Sequence, residues 1–171
     1  MDFNVYLDSD DRRVKSYIDK IIEKINAHQN DFRLIDKSDT VENQRVCEKI
    51  FEMLSSNMIN FLLLKQNLDE VLSSEEHHII ITDKAFDDNY FTHSRQNFKM
   101  ISVSDWEELY APPHMDKYIL RQILKSYIQH SIDYVISAHR DSKGCLFDFC
   151  IHKTDIKISM RTGYLCPQCE Q

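Results

Sequence analysis

The sequence predicts an α/β (α+β) domain, a mixed sheet with packed helices, and three observations carry that prediction. Short stretches of strand character, "FNVYLD", "DFRLID", "HHIIITD" and "FKMISV", alternate with segments whose apolar residues recur at three- and four-residue steps. Two glycines and three prolines are few for 171 residues, so long flexible linkers are not expected. Four of the five cysteines, Cys145, Cys150, Cys166 and Cys169, are gathered after Gly144. The expected organisation is a single domain, 1–171. It has an N-terminal α/β part (1–76), a strand-loop-strand with a long helix (77–144), and a cysteine-bearing tail (145–171).

Each element has its own local warrant. "FNVYLD" alternates apolar and polar residues before a polar break, which suits a short strand at the start of the domain. From Asp10 to His28, Val14, Tyr17, Ile18, Ile21, Ile22 and Ile25 form one helical stripe. "DFRLID" reads as a second strand. Val41, Val46, Ile50, Phe51 and Leu54 then form a second stripe, with Asp39 or Thr40 as its N-cap. Cys47 lies beside that stripe and reads as a small buried hydrophobe. "MINFLLLKQNLDEVLSS" reads as a strand or helix followed by a helical turn, and the β-branched run of "HHIIITD" suits a buried strand. A polar loop with aromatics, "DKAFDDNYFTHSRQN", separates it from the strand "FKMISV". "SDWEELYAPP" breaks at Pro112 and Pro113. The long helix, Met115–Ala138, carries Ile119, Leu120, Ile123, Leu124, Tyr127, Ile128, Ile132, Val135 and Ile136.

Charge and hydropathy exclude several classes. A net charge of −7 opposes a general grip on a nucleic-acid backbone, which needs lysine and arginine massed on one face. The longest apolar run, Met58 to Leu64, is far shorter than the roughly 20 residues of a membrane span. "MDFNVYLDSDDRRVK" has acids where a signal peptide has basic residues, so a cytoplasmic location is expected.

In a reducing compartment clustered cysteines are metal ligands more often than disulfides. Cys145 and Cys150 form a C-x4-C pair, and Cys166 and Cys169 a C-x2-C pair. Two short loops of this kind bring four thiolates to one tetrahedral ion, and zinc, one per chain, is the expected occupant. His152 is a further donor near the first pair, but four thiolates already fill a tetrahedral shell. A filled shell makes the site structural.

The paired spacing resembles that of the archaemetzincins, whose metallopeptidase domain carries a structural zinc on a C-x4-C and a later C-x2-C pair. In that family the first cysteine follows an extended catalytic motif, HExxHxxGxxH, begun on a long helix. Here the corresponding histidine positions hold Tyr134, Ala138 and Gly144, and the glutamate position holds Val135. The methionine that follows the second cysteine in the family is also missing. The resemblance, drawn from His77 onward, implies a zincin-like fold that keeps the structural zinc and lacks the catalytic one. No catalytic residue is assigned.

Three functional readings follow. The first is a non-catalytic, regulatory or protein-interaction module that takes a protein partner on aromatics such as Phe86, Tyr90, Phe91, Trp106 and Tyr110. Asp87, Tyr90 and Phe91 are the candidate contacts on the polar loop, where one aromatic is expected to anchor on the core and another to face outward. The second is an atypical metal-dependent hydrolase or peptidase using Asp83, Asp87, His93, His130 and His139, with Asp88 nearby. The third is nucleic-acid binding through Lys153, Lys157 and Arg161, which Asp148 and Asp155 offset. His139, Arg140, Asp141 and Lys143 read as a helix C-cap cluster, and His77 and His78 as strand residues on opposite faces. No membrane partner is expected, and a homo-oligomer is left open.

Overall fold

The computed structural model describes residues 1–38, 44–132 and 136–170. The N-cap candidates Asp39 and Thr40, Val41 of the second stripe, and Tyr134 and Val135 of the motif comparison lie outside the described residues. The chain forms two compact units, Met1–Ser104 and Asp105–Gln171.

The first unit is a five-stranded sheet with helices. Its elements are β1 (Asp2–Asp8), α1 (Arg12–His28), β2 (Arg33–Asp36), α2 (Gln44–Met53), β3 (Met58–Ile59), α3 (Phe61–Val71), β4 (His77–Thr82), β5 (Ala85–Phe86), β6 (Thr92–Arg95) and β7 (Phe98–Ser102). Strand order is β2-β1-β4-β7-β6, parallel except for β6, which runs antiparallel to β7. Parallel strands are covered on both faces, and so Ile79, Ile80 and Ile81 of β4 are wholly buried in succession. α1 starts because the Asp11 carboxylate accepts the Arg13 amide at 2.8 Å. It buries Val14, Ile18, Ile21 and Ile25 of the predicted stripe and leaves Tyr17 and Ile22 half-buried.

The polar loop is more ordered than its composition suggests. Ala85 and Phe86 pair with Met58 and Ile59 as a separate two-stranded sheet, and Thr92–Arg95 is the antiparallel edge strand. Backbone pairing, to the distant β3 for one strand and to the adjoining β7 for the other, made strands of residues whose own propensities point to a loop. Phe86 is buried and Tyr90 is exposed.

The second unit opens with a π-helical turn, Trp106–Tyr110, followed by α4 (Met115–Ser131). Trp106 stacks on Tyr118 with centroids 4.1 Å apart and donates its Nε1 hydrogen to the Pro113 carbonyl at 2.9 Å. Glu107 accepts the Met115 amide at 2.9 Å, which satisfies one orphan donor at the start of α4. α4 begins where predicted but ends at Ser131, because Ile132 is already extended. Ile136, also expected on the helix, is not helical. In the tail, a 3₁₀ turn (Lys153–Asp155) leads into α5 (Ile156–Thr162). Among the described residues, no helix is long and apolar enough to cross a membrane.

Candidate metal centre

Four donors converge in the second unit: Nε2 or Nδ1 of His139 and the Sγ atoms of Cys145, Cys166 and Cys169, all within 4.8 Å of one another. The three cysteines are buried and His139 is half-buried. Several local devices bring them there. The His139 amide donates to the Phe147 carbonyl at 3.1 Å, and the Phe149 amide donates to the His139 carbonyl at 2.8 Å. The cysteine loop thus folds back beside the histidine. Asp148, itself buried, accepts the amides of Lys143 and Gly144 at 2.8 and 2.7 Å and so fixes the turn into Cys145.

Gly144 has φ +83, and a Cβ there would lie 2.9 Å from the Thr162 hydroxyl. That position therefore needs glycine both for its dihedral and for the close approach of α5. Arg121 on α4 donates from Nε to Ser159 Oγ at 2.7 Å and from a terminal nitrogen to the Leu146 carbonyl at 2.9 Å. One buried guanidinium thereby ties α4 to α5 and to the residue after Cys145.

The donor set fits zinc. Cys169 Sγ lies 3.8 Å from the sulfurs of both Cys145 and Cys166. Zn–S bonds of about 2.3 Å at tetrahedral angles place sulfurs about 3.8 Å apart. His139 Nε2 lies 3.0 Å from Cys166 Sγ and 3.2 Å from Cys169 Sγ, a few tenths of an ångström inside the spacing of about 3.6 Å for a mixed N/S shell. Cys145 Sγ also accepts the amides of Phe147 and Cys166, each at 3.4 Å, the kind of bond that steadies a thiolate.

Burial and the neighbouring Cys166 and Cys145 sulfurs push the Cys169 thiol up to about 12. Cys166 moves down: burial opposes the shift, but the Gln168 amide and neighbouring thiols favour its thiolate. Three thiols so close cannot all ionise by themselves, and a divalent cation supplies the compensating charge. The chain thus carries a Cys3His zinc-binding site, in which zinc would be held by Cys145, Cys166, Cys169 and His139.

The fourth ligand differs from the one expected. Cys150 stands outside the converging group; its Sγ contacts the Asp148 carbonyl at 3.6 Å, and its backbone has φ +56. Burial raises its thiol pKa. His139, read from sequence as part of a helix cap, occupies the fourth place because α4 has already ended at Ser131 and the Phe147–Phe149 backbone pairs beside it. His152, the other histidine weighed as a donor, is exposed.

The remaining candidates are dispersed. Asp83 accepts Ser9 Oγ at 2.7 Å, Asp87 accepts Asn60 Nδ2 at 2.6 Å, and Asp88 pairs with His93 Nε2 at 3.0 Å. His130 Nδ1 lies 2.7 Å from the Ser126 carbonyl of its own helix. Among the described residues, no second set of three such donors converges. Phe91 is half-buried in the loop, and its carbonyl accepts the Ser102 amide at 2.9 Å. Of the acids expected to offset Lys153, Lys157 and Arg161, Asp148 is buried and Asp155 accepts Ser142 Oγ at 2.9 Å. Cys47 is buried as expected, its thiol donating to the Lys37 carbonyl.

Two solved structures share this architecture. Archaemetzincin from Methanopyrus kandleri matches with a TM-score of 0.63 and 11% identity over 99% of this chain and 91% of that one. Archaemetzincin from Archaeoglobus fulgidus, in complex with malonate, matches with a TM-score of 0.55 and 10% identity over 99% of this chain and 98% of that one. No protein-family model and no curated protein sequence matches the chain. At these identities the likeness establishes an archaemetzincin fold. It covers nearly the whole chain, residues 1–76 as well as the part from His77 onward.

Proposed function

We propose that the chain is a non-catalytic, zinc-stabilised archaemetzincin-fold module that works in the cytoplasm by binding a protein partner. The observation that carries this reading is the closed donor set. Three thiolates and one imidazole complete a tetrahedral shell, so the metal has no open position at which to activate water. Zinc supplies a rigid cross-link there when bound. The chain's own part is to hold its donors with Arg121, Asp148 and Gly144. The sequence also contains no HExxH, and the nearest histidine of α4, His130, bonds its own helix. The partner surface is assigned to the loop bearing Asp87, Tyr90 and Phe91, where Tyr90 is exposed and Phe86 is buried.

The test is metal stoichiometry together with activity. Purified protein is expected to hold about one zinc per chain, by the ligand-count argument, and to cleave no unstructured protein substrate. Chelator-sensitive cleavage by clean protein would overturn the reading.

A further inference from the structure

The loop assigned to partner binding does not stand alone, and its surroundings specify the chemistry of what it binds. Leu62 and Leu63 are 70% and 76% exposed in the first turn of α3, while Phe61, Leu64 and Leu68 of the same helix are buried. Met58 of β3 and Tyr90 are also exposed large side chains. Pairing of Met58 with Ala85 and of Ile59 with Phe86 brings these segments to one corner. Asn60, the N-cap of α3, donates to Asp87 at 2.6 Å. Phe61 stacks on His93 at 4.2 Å, and the Tyr90 ring lies 5.5 Å from the same imidazole.

The backbone is fixed as well. The Asp87 amide donates to the Ile59 carbonyl at 3.0 Å, and the Tyr90 amide to Asp88 Oδ1 at 3.1 Å. A clustered apolar surface on a frame held this firmly is pre-organised for contact and loses little freedom on binding.

We propose that this corner docks a polypeptide segment whose face carries apolar side chains framed by lysine or arginine. This rests on the protein-binding reading above and names the partner's chemistry. Charge makes the choice. The acids at the corner are Asp87 and Asp88, both exposed, and the adjacent His93 is held to Asp88 at 3.0 Å. Met1–Ser104 as a whole carries 19 Asp and Glu against 13 Lys and Arg. Such a surface repels acidic segments, anionic lipid and nucleic acid. Two copies joined symmetrically through this corner would set Asp87 and Asp88 against their own duplicates, which disfavours a second copy as the occupant.

The experiment uses two labelled synthetic amphipathic helices, one of leucine and lysine and one of leucine and glutamate, titrated with the zinc-loaded chain. Fluorescence anisotropy is expected to show the lysine helix binding at least about tenfold more tightly than its glutamate counterpart. Leu62→Ser with Leu63→Ser should weaken the lysine helix by about tenfold or more, and Asp87→Asn with Asp88→Asn should weaken it less while flattening the salt dependence. Ile158→Ser, at an exposed position on α5, should change nothing.

Equal binding of the two helices, or indifference to the leucine substitutions, overturns the proposal. So does concentration-dependent dimerisation that the leucine pair abolishes, since the occupant is then a second copy. Zinc content and peptide hydrolysis on the same preparations report on the zinc-stabilised, non-catalytic reading separately, so each can fail without the other.

Discussion

In Met1–Ser104 the main hydrophobic cluster is aliphatic and aromatic: Ile50, Leu54, Leu68, Ile80, Phe98 and Met100 pack together in it. In Asp105–Gln171 the cluster at the tail is Ile136, Leu146 and Phe147 around Cys145, Cys166 and Cys169. The first kind of core is a sum of many burials, each worth roughly 1.5–3 kcal/mol, and it weakens by increments. The second depends on one cross-link. Apparent zinc-binding free energies of about 10–16 kcal/mol in small metal-folded modules show how much can rest on a single ion. The two units should therefore respond differently to the same class of insult.

The largest expected effect is removal of a thiolate. Cys169→Ser should take zinc content from about one per chain to nearly none and strip hydrogen-exchange protection from residues 136–170. Amides of β1, β4 and β7 should stay protected. If mass spectrometry finds the metal retained, or if the sheet melts with the tail, the contrast between the units is wrong.

A pair of substitutions sharpens the ligand assignment. His139→Ala should weaken zinc affinity by more than the roughly 10–100-fold that outer-shell changes cost, as read by competition with a chromophoric chelator. Cys150→Ser should leave affinity nearly unchanged, since its sulfur faces the Asp148 carbonyl. The reverse order would restore the four-cysteine set that spacing suggested.

That pair also shows where the sequence was legible. Strands β1, β2, β4 and β7 and helix α1 were readable from their own apolar residues, although β1 and β7 also bury the polar Asn4, Lys99 and Ser102. The metal was readable because two short cysteine spacings place thiols close together whatever the rest of the chain does. The identity of the fourth donor was not, because His139 is held at the site by backbone pairing with Phe147 and Phe149, which only the folded chain reveals. β6 was hidden because its residues, Thr92–Arg95, are mostly polar although its hairpin partner β7 follows directly. β5 was hidden because its partner β3 lies far back in the chain. Contacts distant in sequence leave little local signature.

A core truncation probes the other unit. Leu68→Ala, at a wholly buried position on α3, should cost about 2–5 kcal/mol of stability in Met1–Ser104 while leaving zinc stoichiometry at the parent value. Trp106, the only tryptophan, lies in the second unit. Its fluorescence therefore follows that unit, and hydrogen exchange at Ile79–Ile81 follows the first. A Leu68→Ala chain that sheds its zinc would show that the metal site depends on the sheet.

The smallest expected effect is acid sensitivity in the sheet unit, and it has a cause unrelated to the metal. His78 on β4 is 2% exposed, with Nε2 3.0 Å from the Ser73 carbonyl and Nδ1 3.5 Å from the Tyr6 hydroxyl. The first contact places the proton on Nε2, donating to Ser73, and leaves Nδ1 as the acceptor. Burial pulls its pKa below the ordinary 6.5, although the Ser73 carbonyl and Glu76 favour the charged form.

The sign follows from linkage. Well above 6.5 the imidazole is neutral in both folded and unfolded chains and contributes no pH dependence. As pH falls through 6.5 the unfolded chain takes up the proton first and is favoured, so stability declines until the folded pKa is also passed. Exchange at Ile79, Ile80 and Ile81 should consequently accelerate in the parent relative to His78→Gln as pH drops from about 7.5 to 5.5. Comparison at each pH cancels the intrinsic pH dependence of exchange. Loss of zinc in acid, visible at Trp106, is common to both chains and cancels too. Parallel profiles for the two chains would show that His78 does not couple protons to folding, and the acid response of the first unit would then have to come from its carboxylates.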